Sequence, residues 1–211
     1  MNINEYEKIK NYTYLEYCDY LQNKYGIGKS NYMSSSWYRI NKVSRSSEGL
    51  FAHHKYEDHE VMLSNKFIAQ QNPFEWQLAQ NIVYCDFLEH LFLHILITEY
   101  ATNNDNVSKG LGIGGVVNFI VPELNDLYSG YEIKQKWKKI CFDLVKSDKK
   151  VYLTLIKRFM TTCSSNPYYK ENDLFRSYSE MFGYDFWFGI NNVKLYNEIS
   201  EIKDGLKKIN K

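Results

Sequence analysis

The chain lacks the features that define several large protein classes. No apolar run approaches the roughly 20 residues of a membrane-spanning helix; the longest, Leu91 to Ile97, is cut by His94, so no membrane partner is expected. The first residues, Met1-Asn2-Ile3-Asn4-Glu5, carry neither the basic nor the apolar segment of a secretory signal. The cytoplasm is therefore the expected location. The four cysteines, Cys18, Cys85, Cys141 and Cys163, include no C-x-x-C pair, which argues against both a disulfide framework and a thiolate zinc site. They are read as reduced and mostly buried. With three prolines, eleven glycines, no low-complexity linker and no internal repeat, nothing marks a domain boundary. Charge of one sign is also missing, since 26 basic side chains stand against 25 acidic ones.

What is present is apolar and aromatic: 44% of the 211 residues are hydrophobic and 17% are aromatic, the opposite of a disordered composition. Apolar spacing predicts an N-terminal helix over residues 4–24, stopped by Gly26. Trp37 to Val43 and Leu50 to His54 read as short strands able to pair, and Asn81 to Cys85 as a third. Asp86, with Glu89 three residues on, forms a capping-box signature that opens the clearest helix, running to about Tyr100. Further helices are expected near 116–127, 131–146, 149–163, 173–182 and 192–209. The fold class is therefore α+β, mostly helical around a small β-containing centre in a single domain over 1–211.

Two glycine-rich segments imitate phosphate-binding loops. Gly26-Ile27-Gly28-Lys29-Ser30 has Asn23 where the first glycine of such a loop belongs, and it follows a helix rather than a strand. Gly110-Leu111-Gly112-Ile113-Gly114-Gly115 has no strand leading into it and reads as a flexible loop before a helix at Val116. Although the net charge is only +1, charge is unevenly distributed along the chain. Five basic and no acidic residues lie between Lys24 and Ser47, and nine basic residues lie between Lys134 and Arg158 against Asp143 and Asp148. Nucleic-acid binding depends on such local charge rather than on the total.

All five histidines, His53, His54, His59, His90 and His94, fall within 42 residues. His90 and His94, four apart on a helix, project from one face and can share a divalent cation. An isolated pair of this kind among Leu88, Leu91, Leu93 and Ile97 would more often be hydrogen-bonded core. The adjacent pair His53-His54 reverses that balance, because neighbours on a strand point to opposite sides and can take separate roles. His59, among Glu57, Asp58 and Glu60, reads as an exposed loop residue, and that acidic cluster as a solvated turn. The order Glu89-His90-Leu91 is not H-E-x-x-H, so a zinc metalloprotease is not indicated.

The order His53-His54, then Asn81, then His90 nine residues later and His94 after three intervening positions resembles the HNH, or ββα-metal, nuclease family. Its doubled first histidine and paired helix histidines are similar to those of colicin-type DNases. The resemblance covers residues 37 to 100, under a third of the chain. It implies a small ββα-metal core at 37–100, between a helical region at 1–36 and another at 101–211. Two departures are visible: a long insertion between His54 and Asn81, expected to hold an extra helix, and no flanking C-x-x-C pairs, so that Trp76, Phe87 and Phe92 would hold the motif by packing.

The resemblance further implies that His54 is the general base, that His53, His90 and His94 hold one divalent metal ion, and that Asn81 orients the base or joins the metal shell. Three imidazoles suit Zn²⁺, Ni²⁺ or Mn²⁺ better than Mg²⁺. The expected activity is metal-dependent endonucleolytic hydrolysis of DNA, of restriction, mobile-element or phage type, with duplex DNA as partner and a homodimer where the target is palindromic. Lys29, Arg39, Lys42 and Arg45, interleaved with Tyr25, Tyr32, Trp37 and Tyr38, are the expected backbone contacts. The alternative is a non-catalytic DNA- or protein-binding module built on the same scaffold, such as a phage-encoded inhibitor of host defence.

Overall fold

A computed structural model describes residues 1–177 and 192–209. It is mixed and mostly helical, with one two-stranded antiparallel sheet among the described residues. The N-terminal stretch expected as one helix is two, α1 (Ile3–Ile9) and α2 (Tyr14–Tyr25). The break has a local cause, because Thr13 and Glu16 form a reciprocal capping box that starts α2 afresh. Gly26, at φ +82°, ends α2 as the sequence predicts.

Strand β1 (Phe51–His54) pairs with β2 (Ile82–Cys85), and the register sets His53 opposite Val83 and His54 opposite Ile82. The other expected strand, Trp37 to Val43, does not pair with β1. Trp37, at φ 62°, turns the chain, the amides of Ile40 and Ser34 bond back to Tyr32 and Tyr38, and a 3-10 turn follows at Asn41–Val43. This folded ribbon contributes Tyr32, Met33 and Val43 to a minor core with Ala69 and Ile82. The insertion between the strands holds the expected helix only as a single turn, α3 (Lys66–Ala69), followed by 3-10 turns at Phe74–Gln77 and Ala79–Asn81.

Helix α4 (Phe87–Thr102) begins at the predicted Asp86–Glu89 capping box. Twelve of its 16 residues are buried, so it is apolar on every side and has to lie in the interior. It packs against α2, α8 (Lys149–Thr162) and the segment formed by α5 (Ile113–Gly115) and the π-helical Val116–Ile120. Arg158 of α8 grips Glu99 of α4 through two hydrogen bonds of 2.6 and 2.7 Å. Helices α6 (Val121–Tyr128), α7 (Lys136–Asp143) and α9 (Val193–Ile209) complete the described helices. The helix expected over 131–146 is thus shorter. The one expected over 173–182 is replaced at its start by a 3-10 turn, Glu171–Leu174. The aromatic cluster Phe182, Tyr184, Phe186, Trp187 and Phe188 lies outside the described residues. All four cysteines are free and buried. No described helix is long and apolar enough to cross a membrane.

Candidate metal centre

The alternation of β1 gives its last two residues different surroundings. His53 turns toward α4, where its ring centroid lies 5.3 Å from that of His90 and 5.2 Å from that of His94. Those two rings, one helical turn apart, are 4.9 Å from each other. One nitrogen from each of the three lies within 4.8 Å of the others, a set that can hold a metal ion. His54 instead packs at 4.3 Å against the Tyr32 ring and meets Gln77.

Hydrogen bonding occupies one ring nitrogen of His53 and leaves the other open. The Tyr14 hydroxyl donates to the His54 carbonyl at 3.3 Å and lies 2.9 Å from His53 Nε2. Where that hydroxyl spends its proton on the carbonyl it accepts from Nε2–H, and Nδ1 is then the lone-pair nitrogen. His53 Nδ1 is buried with no hydrogen-bond partner. An outer partner that holds one ring nitrogen while the other faces the ion is the usual support of a metal-binding histidine. Burial pushes His53 down to about 3, with His94 and His54 acting in the same direction and Glu57 opposing. Burial and the neighbouring imidazoles also push His90 well down, and burial lowers His94 against the opposing charge of Glu57. All three rings are therefore neutral near pH 7, the form that binds a cation.

The same logic applies to His54. Gln77 is fully buried, and its amide donates to the Leu63 carbonyl at 3.1 Å. Its oxygen accordingly faces His54 Nε2, 3.1 Å away, and requires a proton there. Nδ1 of His54 is left as the basic nitrogen. The resemblance implies that Asn81 orients the base or joins the metal shell, and the hydrogen bond its side chain makes is to neither. Asn81 ends a 3-10 turn just before β2, and its amide donates to the Glu75 carbonyl at 2.7 Å. Its backbone carbonyl accepts from Lys55 N at 2.9 Å, closing the end of the strand pair.

Two further residues escaped the sequence reading. Glu57 does not belong to a solvated turn. The chain reverses after β1, with Glu57 N bonded to the His54 carbonyl at 3.1 Å, and the carboxylate folds back over the histidines. Its Oε2 lies 3.6 Å from His53 Nδ1 and 3.5 Å from His94 Nε2, and its Oε1 lies 3.7 Å from His54 Nδ1. Burial alone would raise this carboxyl, but the imidazoles of His53, His54 and His94 outweigh burial and hold it well below the usual range. Gly115 is the second. A Cβ there would stand 2.3 Å from His94 Nδ1, and one at Gly112 would meet the His94 carbonyl at 2.5 Å. The glycine-rich segment is thus a close-packed wall of the centre rather than a flexible loop. His59 is exposed, as expected, with Nδ1 2.6 Å from Asp58.

The basic residues are less available than their sequence suggests. Lys24 bonds Glu89 at 2.6 Å and also Glu5. Lys29 and Arg45 both bind Glu48, and Arg45 also donates to the Tyr25 carbonyl at 2.6 Å and lies over the Tyr84 ring. Arg39 and Lys42 are exposed. The Arg39 guanidinium sits 5.4 Å from the centroid of the Tyr32 ring, the ring that packs against His54.

No family model, no curated protein and no solved structure matches the chain.

Proposed function

We propose that the protein is a metal-dependent endonuclease of the HNH type, built on β1, β2 and α4 as a ββα-metal core and hydrolysing phosphodiester bonds of duplex DNA. The observation that carries this reading is the division of work between adjacent histidines: His53, whose buried Nδ1 has no hydrogen-bond partner, groups with His90 and His94, and His54 is held instead by Gln77 at Nε2.

In this reading His53, His90 and His94 hold one divalent cation. When bound, that ion would neutralise charge on the phosphate and stabilise the departing 3′ oxygen. His54 Nδ1 takes a proton from water as the water oxygen bonds phosphorus, the P–O3′ bond breaks, and the departing oxygen takes a proton from solvent, so that the products carry a 3′ hydroxyl and a 5′ phosphate. Gln77 keeps the base in the tautomer this step needs. Tyr32 packs against the ring, and Arg39, exposed and over Tyr32, is the cation that meets a DNA phosphate. Imidazole ligands favour Zn²⁺, Ni²⁺ or Mn²⁺ over Mg²⁺.

A second reading has its own supporting observation. His53 and His54 are each only 1% exposed, which favours a non-catalytic binding module whose cation stabilises the fold. Cleavage of supercoiled plasmid by wild type and His54→Ala separates the two, assayed with EDTA and with Mg²⁺, Mn²⁺, Ni²⁺ or Zn²⁺ restored. Metal-dependent nicking or linearisation that His54→Ala abolishes is the nuclease outcome. Inertness of a folded, metal-loaded wild type toward every DNA tested is the outcome for the binding module.

A further inference from the structure

We infer that Glu57 is the fourth protein ligand of the cation, so that the centre is a three-histidine, one-carboxylate site. This rests on the metal-binding part of the reading above and extends it to a residue outside the histidine pattern.

Three observations converge. First, the contacts of Glu57 Oε2 with His53 Nδ1 and His94 Nε2, 3.6 and 3.5 Å, are too long for good hydrogen bonds. They match the edge of a coordination tetrahedron: two ligand atoms each about 2.0–2.2 Å from a zinc-like ion lie about 3.3–3.6 Å apart. Second, His53 Nδ1 is buried, lacks a hydrogen-bond partner and faces this carboxylate. Third, the groups facing the Glu57 carboxylate are imidazoles, from His53 and His54 on β1 and His94 on α4. The side chain is only 15% exposed, and a carboxylate so enclosed calls for a compensating positive charge. A divalent ion between Oε2 and the rings of His53, His90 and His94 supplies that charge and gives His53 Nδ1 its partner.

The position of Glu57 has a consequence for substrate entry. Its Oε1 faces His54 Nδ1 at 3.7 Å, so the carboxylate lies between the cation and the base. A phosphate oxygen approaching both would displace Glu57 rather than a histidine.

The test is a Co²⁺ titration followed by visible absorption, using wild type, Glu57→Gln and Glu60→Gln, with circular dichroism as the check on folding. Wild type should bind one equivalent with the strong absorption of a low-coordinate site. Glu57→Gln should weaken binding by about tenfold or more and change the spectrum, and Glu60→Gln should do neither. Binding by Glu57→Gln within twofold of wild type, with an unchanged spectrum, overturns the inference, as does a wild type that binds no Co²⁺. If Glu57→Gln does not fold, infrared difference spectra of wild type decide: a carboxylate stretch that shifts on Co²⁺ addition supports Glu57 as a ligand, and none overturns it. The two claims can fail separately. Cobalt held through Glu57 without any plasmid cleavage removes the nuclease and supports the ligand; cleavage by a Glu57→Gln variant that binds as tightly as wild type does the reverse.

Discussion

The basic ribbon of residues 24–45 and the histidine centre lie side by side, yet they differ in how much of their chemistry the fold itself uses. Lys24, Lys29 and Arg45 are tied to Glu89, Glu5 and Glu48. The ribbon is also fastened to the segment before β2, through Gly28 N to Ala79 O at 3.0 Å and Tyr32 N to Gln77 O at 2.7 Å. Its cations mostly hold structure. The histidine centre instead keeps His53 Nδ1 buried without a hydrogen-bond partner, an arrangement that costs stability unless something else binds there. Counting charge along a sequence therefore overstates the ribbon, whereas spacing alone understates the centre.

The comparison breaks first at the metal ligands. Replacing His90 or His94 by Ala should lower Zn²⁺ affinity by more than about 100-fold, beyond the range of outer-shell changes, as measured by equilibrium dialysis; retention of wild-type affinity would put the ion elsewhere. Gln77→Leu comes next. It removes the acceptor of a buried N–H and should cost about 1–3 kcal/mol of stability. If His54 is the base, plasmid cleavage should also fall by about 10- to 100-fold while Zn²⁺ affinity stays put. Equal losses of cleavage and metal affinity would instead make Gln77 a support of the whole centre.

Acid should sharpen the contrast. In the unfolded chain the imidazoles take up protons near 6.5, whereas in the fold burial holds His90 and His94 lower and His53 down at about 3. The unfolded state thus binds more protons in that window. The metal-free protein should lose stability as pH falls below about 6.5, by up to about 1.4 kcal/mol per pH unit for each histidine. Urea unfolding between pH 7 and 4 measures the slope, and a flat profile would mean the rings are not buried neutral. Gly115→Ala should cost about 1–3 kcal/mol through overpacking against His94, even though alanine is the better helix former. An unchanged urea midpoint would show that the wall yields. The smallest effects belong to the ribbon: Arg39→Ala should weaken DNA binding and flatten its salt dependence by about one phosphate contact, and Lys29→Ala should do less. The opposite ranking, in fluorescence anisotropy with a short duplex, would return the ribbon to a uniform binding arm.

Much of this was legible in the sequence where local rules decide. The Asp86–Glu89 capping box placed α4, and the stretches expected as strands at 50–54 and 81–85 hold the two strands, Phe51–His54 and Ile82–Cys85. Thr13 with Glu16 carried the same signature and marked the break between α1 and α2, although apolar spacing across the gap suggested continuity. The fate of Trp37 to Val43 was not legible, because a β-prone stretch does not announce that its backbone will bond to itself. Glu57 and Gln77 were missed for a related reason. A glutamate in an acidic run and a lone glutamine carry no periodic signal, and only the turn after β1 and the packing of the 55–81 insertion bring them to the histidines. The glycines at 112 and 115 were visible as glycines, but their purpose depends on the closeness of α4.

The central claim is that His53 at the end of β1 and His90 and His94 on α4 together hold a cation. Isothermal titration of metal-stripped wild type and His90→Ala with Zn²⁺ tests it most directly. One tight equivalent per chain in wild type, lost in a folded His90→Ala protein, is the expected result; the same Zn²⁺ binding in both proteins, or none in either, would contradict it.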